Sequence, residues 1–457
     1  MYTLIKNGTL ISSAGRYKAD VLIKDSIIES VGDSIKAPKG ATIIDAKGKF
    51  VLPGAIDAHT HLAMAFGGTT SSDDYCSGTK AAVCGGTTTV FDFAMQDFNE
   101  AFVDTVKRRD AMAKDVAYCD YAFHVGIKDI NNGLLNTMKE CVDYGVPSFK
   151  CFMVYDFGVS DSDFYQLLET ARDCNAQVSV HAENKDAIAL LQKRFLSEGK
   201  TSAYYHYLSR PEWVEEEADN RAISFAKSLH TRLYIVHVGT KGGINLIEQA
   251  KKEGYHIYAE TCPQYLEFTD EVYKRERGID FICSPPMKGQ ESQDALWDSI
   301  RRGVVDTIAT DHCPFQSYEK DWGKDDFTKV PNGCAGVENM FPYMLSKANE
   351  GKVTHERVIE LCCENPAKIF GCTKKGFIRA GYDADIVIYD PKMKFTITQD
   401  KMHSDCDHTI WEGTKLKGYP VMTFSRGKLV YDNGIVVGEP GWGKLVKRVL
   451  PKDKYEG

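Results

Sequence analysis

The 457-residue sequence predicts an α/β fold: a (β/α)8 barrel accompanied by a small β domain assembled from both chain ends. Two observations carry that expectation. Short apolar runs recur eight times between residues 52 and 375, with helix-like stretches between most of them. Short β-type runs broken by turn residues fill the first fifty positions and return after residue 375. The competing arrangement is an open, doubly wound sheet. It would have no visible nucleotide site, because no GxGxxG follows the first run and Gly239-Thr240-Lys241-Gly242-Gly243 lacks the spacing of a phosphate loop.

The elements can be justified in order. Residues 3–5, 21–23, 27–31 and 41–45 read as strands, punctuated by Asn7-Gly8 and Lys47-Gly48. The eight central runs are 54–58, 87–91, 121–125, 148–152, 177–180, 233–236, 256–259 and 305–309. Segments 162–171 and 216–229 between them read as helices. Runs 386–389, 421–425 and 428–431 resume the β style, with Asn433-Gly434 as a hairpin turn. Joining the two ends leaves the middle as an insert. The expected division is a first β part at 1–51, a barrel at 52–375 and a second β part at 376–457.

Composition narrows the function. A chain that is 43% hydrophobic and 26% charged is expected to be soluble and globular. The net charge of -8, without a long basic tract, argues against nucleic acid. No apolar stretch reaches the roughly 20 residues that span a bilayer. The start, Met1-Tyr2-Thr3-Leu4-Ile5-Lys6-Asn7-Gly8, is too short and polar for a signal peptide. The 14 cysteines are scattered, several of them in apolar runs (Cys84, Cys151, Cys262, Cys283), and are expected as free thiols in a reducing cytoplasm.

Barrel chemistry gathers at the C-terminal strand ends. Those ends carry His59 and His61 on the first run, Lys150 on the fourth, His181 on the fifth, His237 on the sixth and Asp311 on the eighth. One histidine on an apolar strand is ordinarily a satisfied core residue. Four of them, all at strand ends, make that explanation a repeated coincidence, and neutral imidazoles suit a divalent metal. The spacing of His59 and His61 puts both rings on one side of a strand. Lys150 has two readings. A neutral amine could take up carbon dioxide and bridge two metals as a carbamate, or an ammonium could pair with Asp311 or a substrate carboxylate. Asp311 could ligate a metal and accept a proton from bound water. His312, its neighbour, would face away and act as support. Tyr155 could donate to an oxyanion or simply line the cavity. Ser284-Pro285-Pro286 and Pro331-Asn332-Gly333 could offer main-chain groups to a planar imide or be structural turns alone. Met64, Phe66, Phe152 and Phe157 are apolar and lie near strand ends, where they are expected to form the pocket rim.

The motifs are specific when taken together. They are Pro53-Gly54-Ala55-Ile56-Asp57-Ala58-His59-Thr60-His61, Ser72-Asp73-Asp74, Gly85-Gly86-Thr87-Thr88, Phe149-Lys150 with Tyr155, and His181-Ala182-Glu183-Asn184. Ser209-Arg210-Pro211, Ile235-Val236-His237-Val238, Glu260-Thr261-Cys262-Pro263-Gln264-Tyr265-Leu266, Ala309-Thr310-Asp311-His312 and Ala380-Gly381-Tyr382-Asp383-Ala384-Asp385 complete the set, with the two turns above. Over essentially its whole length the chain resembles cyclic amidohydrolases of the dihydropyrimidinase and hydantoinase family. Allantoinases and dihydroorotases are more distant relatives.

The resemblance implies a TIM-like barrel beside a β-sandwich, and two Zn2+ ions per subunit. By family pattern His59, His61 and Asp311 hold one ion and His181 and His237 the other, bridged by N6-carboxylated Lys150 and hydroxide. Tyr155 would polarise the scissile carbonyl, while Ser284 and Asn332 would hold the ring through main-chain atoms. The implied reaction is hydrolytic ring opening of 5,6-dihydropyrimidines and 5-substituted hydantoins to N-carbamoyl amino acids. A homotetramer assembled with help from the C-terminal segment is also implied. The loop His61-Leu62-Ala63-Met64-Ala65-Phe66-Gly67-Gly68 departs from many relatives at Ala63 and Ala65, which weakens transfer of substrate range. No basic group is visible in the rim loops, so anionic, orotate-like substrates are disfavoured. An allantoinase-type activity is the alternative, followed by a mononuclear deaminase and a metal-free scaffold.

Overall fold

The computed structural model describes residues 1–452. Eight parallel strands form one sheet in chain order: Ala55–Thr60, Thr87–Met95, Asp120–Gly126, Ser148–Phe152, Gln177–His181, Leu233–Ile235, Ile257–Thr261 and Thr307–Ile308. An isolated parallel bridge between Thr60 and His312, with His61 N donating to His312 O at 2.8 Å, ties the first strand to the segment after the last and closes the barrel. Helices such as Asp161–Cys174, Glu212–Leu229 and Gln290–Arg302 connect the strands. Sheets covered in this way lack apolar-polar alternation. Thr87–Met95 is buried at every position but its last. That explains why the strands read as continuous apolar runs in the sequence.

The observed strands overlap all eight predicted runs, with shifts at their ends. The fifth continues to His181 and the seventh to Thr261, so polar terminal residues belong to the strands. The sixth and eighth stop early, at Ile235 and Ile308. Beyond them the backbone turns into the left-handed region at His237 (φ 41) and Asp311 (φ 53). Tyr155 does the same at φ 71. Such conformations cost energy in non-glycine residues and persist where surrounding structure imposes them.

The two chain ends build a pair of sheets. A four-stranded sheet runs in the order Ile27–Gly32, Asp20–Lys24, Tyr2–Lys6, Thr42–Asp45. A seven-stranded sheet runs Ile435–Val436, Lys428–Asp432, Lys415–Ser425, Ile386–Thr396, Phe50–Pro53, Thr9–Ser12, Gly15–Lys18. Ile5, Val21, Ile23, Val51, Ile386, Ile388 and Phe424 pack into one core, as the sandwich expectation requires. The antiparallel pairing of Phe50–Pro53 with Ile386–Thr396 joins the two ends.

Several strands escaped the sequence, among them the two-residue pair Ala65–Phe66 and Thr69–Thr70 in the loop after the first barrel strand. Thr9–Ser12 and Gly15–Lys18 form a hairpin at the sheet edge, and the polar, exposed Gly15–Lys18 has no apolar face to reveal it. Phe50–Pro53 is separated from the first barrel strand by Gly54 alone, so the two read as one run. A Cβ at Gly54 would stand 2.1 Å from Thr88 Oγ1, so only glycine lets the strands pass.

The C-terminal segment returns to its own barrel. Val446 N donates to Tyr121 O at 2.7 Å, and Arg448 is fully buried, donating to Ser148 Oγ at 2.8 Å at the start of the fourth strand. None of the fourteen cysteines is in a disulfide. Among the described residues no helix is long and apolar enough to cross a membrane.

Candidate active site

The C-terminal strand ends open into a cleft. Every site residue expected from the sequence lines it: His59, His61, Lys150, His181, His237 and Asp311 at its base, Tyr155, Ser284 and Asn332 beside them, and Met64, Phe66, Phe152 and Phe157 along the rim. Met95, Cys313 and Lys128 also line it and were not expected.

One carboxylate oxygen organises the first half of the base. Asp311 Oδ1 lies 3.1 Å from His59 Nε2 and 3.0 Å from His61 Nε2. The donor atoms of these three residues fall within 4.8 Å of one another, a spacing that a metal ion can fill. On its other side His59 Nδ1 donates to Glu260 Oε1 at 2.7 Å, which leaves Nε2 of the neutral ring as a lone pair aimed at the carboxylate. A lone pair and an anion at that distance require positive charge between them. Without a cation a proton must supply it. Burial opposes charge on His59, yet Glu260 and Asp311 raise its imidazole to about 9. Burial pushes Asp311 up, but His59 and His61 hold it well below the usual carboxylate range, so it stays ionised. His61 Nδ1 is buried without a hydrogen-bond partner.

The second half is a histidine pair. His181 Nδ1 and His237 Nε2 face each other at 3.1 Å. His181 Nε2 donates to Glu183 Oε2 at 2.7 Å, which fixes its tautomer and turns the Nδ1 lone pair toward His237. Burial lowers both imidazoles, His237 strongly, so both are held as neutral donors suited to a cation. Glu183 is in turn bound by Arg210, a residue whose place was not legible in the sequence. Burial acts against ionised Glu183, but Arg210 and His181 hold it well below its ordinary value.

Lys150 sits between the two halves. It is 1% exposed, and burial lowers its amine to about 8 against the pull of Glu260 and Asp311. Its Nζ forms no hydrogen bond or ion pair with any described residue, and lies 5.3 Å from the ring centroids of Phe93 and Phe152. The expected alternative of an ion pair with Asp311 is therefore not formed. A buried amine with no counter-ion, amid neutral imidazoles and a carboxylate, fits a lysine that carries an added carboxylate and shares it with cations. The donor set as a whole fits a divalent metal centre.

His312 turns away from the cleft, as its position predicts. Its Nε2 donates to Asp73 Oδ2 at 2.9 Å, and its Nδ1 accepts from Gly336 N and Val337 N at 3.0 and 3.2 Å.

The wall opposite the base is aromatic. Tyr155 stacks on Phe157 with centroids 5.5 Å apart and meets Phe66 and His181 edge-on at 5.3 and 5.4 Å. Burial pushes its hydroxyl up, so the phenol stays protonated and can donate. The two turns flanking it are clamped together. Asn332 Nδ2 donates to Ser284 Oγ at 2.8 Å. Lys320, fully buried, donates to Ile282 O, Pro331 O and Gly333 O at 3.0, 2.8 and 2.6 Å. His206 donates to Cys283 O at 2.9 Å and Tyr265 to Pro285 O at 2.8 Å.

Sequence reasoning missed Glu260, Glu183 and Lys320 as functional groups. Glu260 lies in the seventh strand near its C-terminal end, and inspecting that end as well would have found it. Lys320 lies in a charged stretch that reads as solvated surface, with no local sign of burial.

The comparisons agree with this geometry. The model of the amidohydrolase family matches residues 50–430. The chain is 40% identical to the D-hydantoinase of Ralstonia pickettii over 98% of its own length and 99% of that protein. It is 39% identical to the D-hydantoinase of Rhizobium radiobacter with the same shares covered. The crystal structure of dihydropyrimidinase from Brevibacillus agri NCHU1002 superposes with a TM-score of 0.96 at 37% identity, covering 98% of this chain and 99% of that one.

Proposed function

This chain belongs to the amidohydrolase family, in its dihydropyrimidinase and D-hydantoinase group, and from that premise we propose how its barrel mouth opens a cyclic ureide. It is a cyclic amidohydrolase. The substrate is a 5,6-dihydropyrimidine or a 5-substituted hydantoin, and the product an N-carbamoyl amino acid. The observation that carries the reading is the meeting of four histidines, Lys150 and Asp311 at the base of one cleft, with the Tyr155 hydroxyl group beside them.

Two zinc ions per chain are assigned to that base. His59, His61 and Asp311 would hold one, His181 and His237 the other, and Lys150 carboxylated at Nζ would span both. When bound, the pair supplies a water acidified to near neutral pH and an electrophilic contact for the carbonyl. The remaining work falls to the chain. Glu260 and Glu183 hold the histidine tautomers that point lone pairs inward. The turns at Ser284 and Asn332 receive the planar imide through main-chain N–H and C=O groups. Tyr155 donates a hydrogen bond to the carbonyl oxygen as negative charge gathers there and keeps its proton, a contact worth about 3 kcal/mol in comparable sites. Asp311, ionised, accepts the proton of the attacking water and returns it to the ring nitrogen as the C–N bond breaks. The 51/52 and 375/376 divisions, a cytoplasmic homotetramer and a part for the C-terminal segment in its assembly belong to the same reading.

The test is a side-by-side assay of the zinc-loaded protein on dihydrouracil, hydantoin and allantoin, with the products identified. N-carbamoyl-β-alanine and N-carbamoylglycine are expected. Ammonia release from an aminated base without ring opening, or turnover of allantoin alone, would overturn the reading.

A further inference from the structure

The sequence places no basic group at the cleft rim, and the structure corrects that: Lys128 lines the cleft. It follows the third barrel strand, which ends at Gly126, so it stands on the same barrel face as the site. Its backbone is fixed. Ile127 N donates to Lys150 O at 2.8 Å, which holds the segment against the fourth strand. The fully buried Gln96 then accepts from Lys128 N and Asp129 N at 3.1 and 3.0 Å.

The side chain reaches over the aromatic wall. Lys128 Nζ lies 5.9 Å from the Phe157 ring centroid, and Phe157 stacks on Tyr155. The ammonium forms no ion pair or hydrogen bond with any described residue. The neighbouring Asp129 turns its carboxylate to Asn99 N at 3.2 Å and Asn131 N at 2.9 Å instead. Asp311 is the one carboxylate lining the cleft among the described residues, and it is engaged with His59 and His61. A part-buried cation without a counter-charge, on a rim otherwise made of Met64, Phe66, Met95, Phe152 and Phe157, is an unfilled half of a charge pair.

We propose that the part of the cleft receiving the exocyclic group takes ring substituents ending in a carboxylate, with the methylenes on the aromatic wall and the carboxylate on Lys128. The inference rests on the cyclic-ureide reading above and names the substituent class within it. An alkyl or aryl arm would satisfy the wall and leave the ammonium unpaired. A carboxylate on a short flexible arm satisfies both, because a charge-assisted hydrogen bond forms where the aromatic rings exclude water.

The test compares 5-(2-carboxyethyl)hydantoin with its neutral, near-isosteric amide, 5-(2-carbamoylethyl)hydantoin, on the zinc-loaded protein at low ionic strength. The expected result is a kcat/KM ratio of about tenfold favouring the carboxylate, equivalent to about 1.4 kcal/mol. The ratio should fall toward one in Lys128→Met and shrink with added salt. Lys128→Glu should invert the charge preference, favouring 5-(3-aminopropyl)hydantoin over the carboxylate. A ratio near one in the unaltered protein, or one that survives both substitutions, overturns the proposal. Dihydrouracil and unsubstituted hydantoin run in parallel separate the two readings. If neither ring opens, the hydrolase reading fails. The thermal shift produced by the carboxylate and amide ligands then reads Lys128 without turnover. A carboxylate-specific shift lost in Lys128→Met supports it, and equal shifts overturn it.

Discussion

Replacing Lys320 by methionine tests whether the ring-binding turns are held by one buried cation. The substitution keeps most of the side-chain length and removes three donors, so Ile282 O, Pro331 O and Gly333 O lose contacts of 3.0, 2.8 and 2.6 Å at once. Each hydrogen bond to a charged group is worth roughly 1.5–3 kcal/mol, but the ammonium no longer has to be desolvated. The net loss of stability should be about 3–5 kcal/mol, the usual cost of removing one partner from a buried charged contact. The specific consequence is for the substrate. The segments carrying Ser284 and Asn332 lose their common anchor, so KM for hydantoin should rise at least about tenfold, or about 1.4 kcal/mol. The metal ligands lie on other segments, so zinc content should stay unchanged. Steady-state kinetics, elemental analysis and denaturant titration measure the three quantities, and Lys320→Arg, which keeps the charge, should recover part of the KM. A protein that loses stability while KM stays within about twofold would refute the reasoning, because Lys320 would then support the fold without positioning the ring.

Three further outcomes are expected. Tyr155→Phe should lower kcat on the order of 100- to 1000-fold with zinc retained, as loss of one oxyanion donor does; unchanged turnover would remove that role. Lys150→Ala should bind zinc poorly and recover part of its metal and activity with a small added carboxylic acid, whereas a fully loaded, active variant would defeat the bridge. Acid should destabilise the fold through His206, which burial and then Arg210 lower to about 3 while it donates to Cys283 O. Its folded value lies below the unfolded value of about 6.5, so its contribution is complete above that pH and is lost as pH falls toward 3. At pH 4.5 the loss is about 2–3 kcal/mol, and His206→Gln should flatten that part of a stability-against-pH curve measured by denaturant titration.

The barrel was legible because its strands are buried on both faces, which turns each into an apolar run that composition alone exposes. The metal-capable groups were legible because they end such runs. Residues that act through tertiary contacts were not. Lys320 ends the short polar helix Ser317–Lys320 and Lys128 sits in a loop, places where lysine ordinarily meets solvent, and only the folded chain brings one onto three carbonyls and the other over Phe157. Gly15–Lys18 was missed for the converse reason, since an exposed edge strand has no pattern to read. The backbone turns at His237 and Asp311 were also invisible, because positive φ at a histidine or an aspartate leaves no mark in the sequence.

The decisive experiment is a zinc count per chain on protein loaded with zinc and bicarbonate, together with a diffraction map of the cleft. Two ions are expected, with density for a carboxylated Lys150 between them and His59, His61, His181, His237 and Asp311 around them. A single ion, or a pair of ions beside an unmodified lysine, would contradict the bridged two-zinc site.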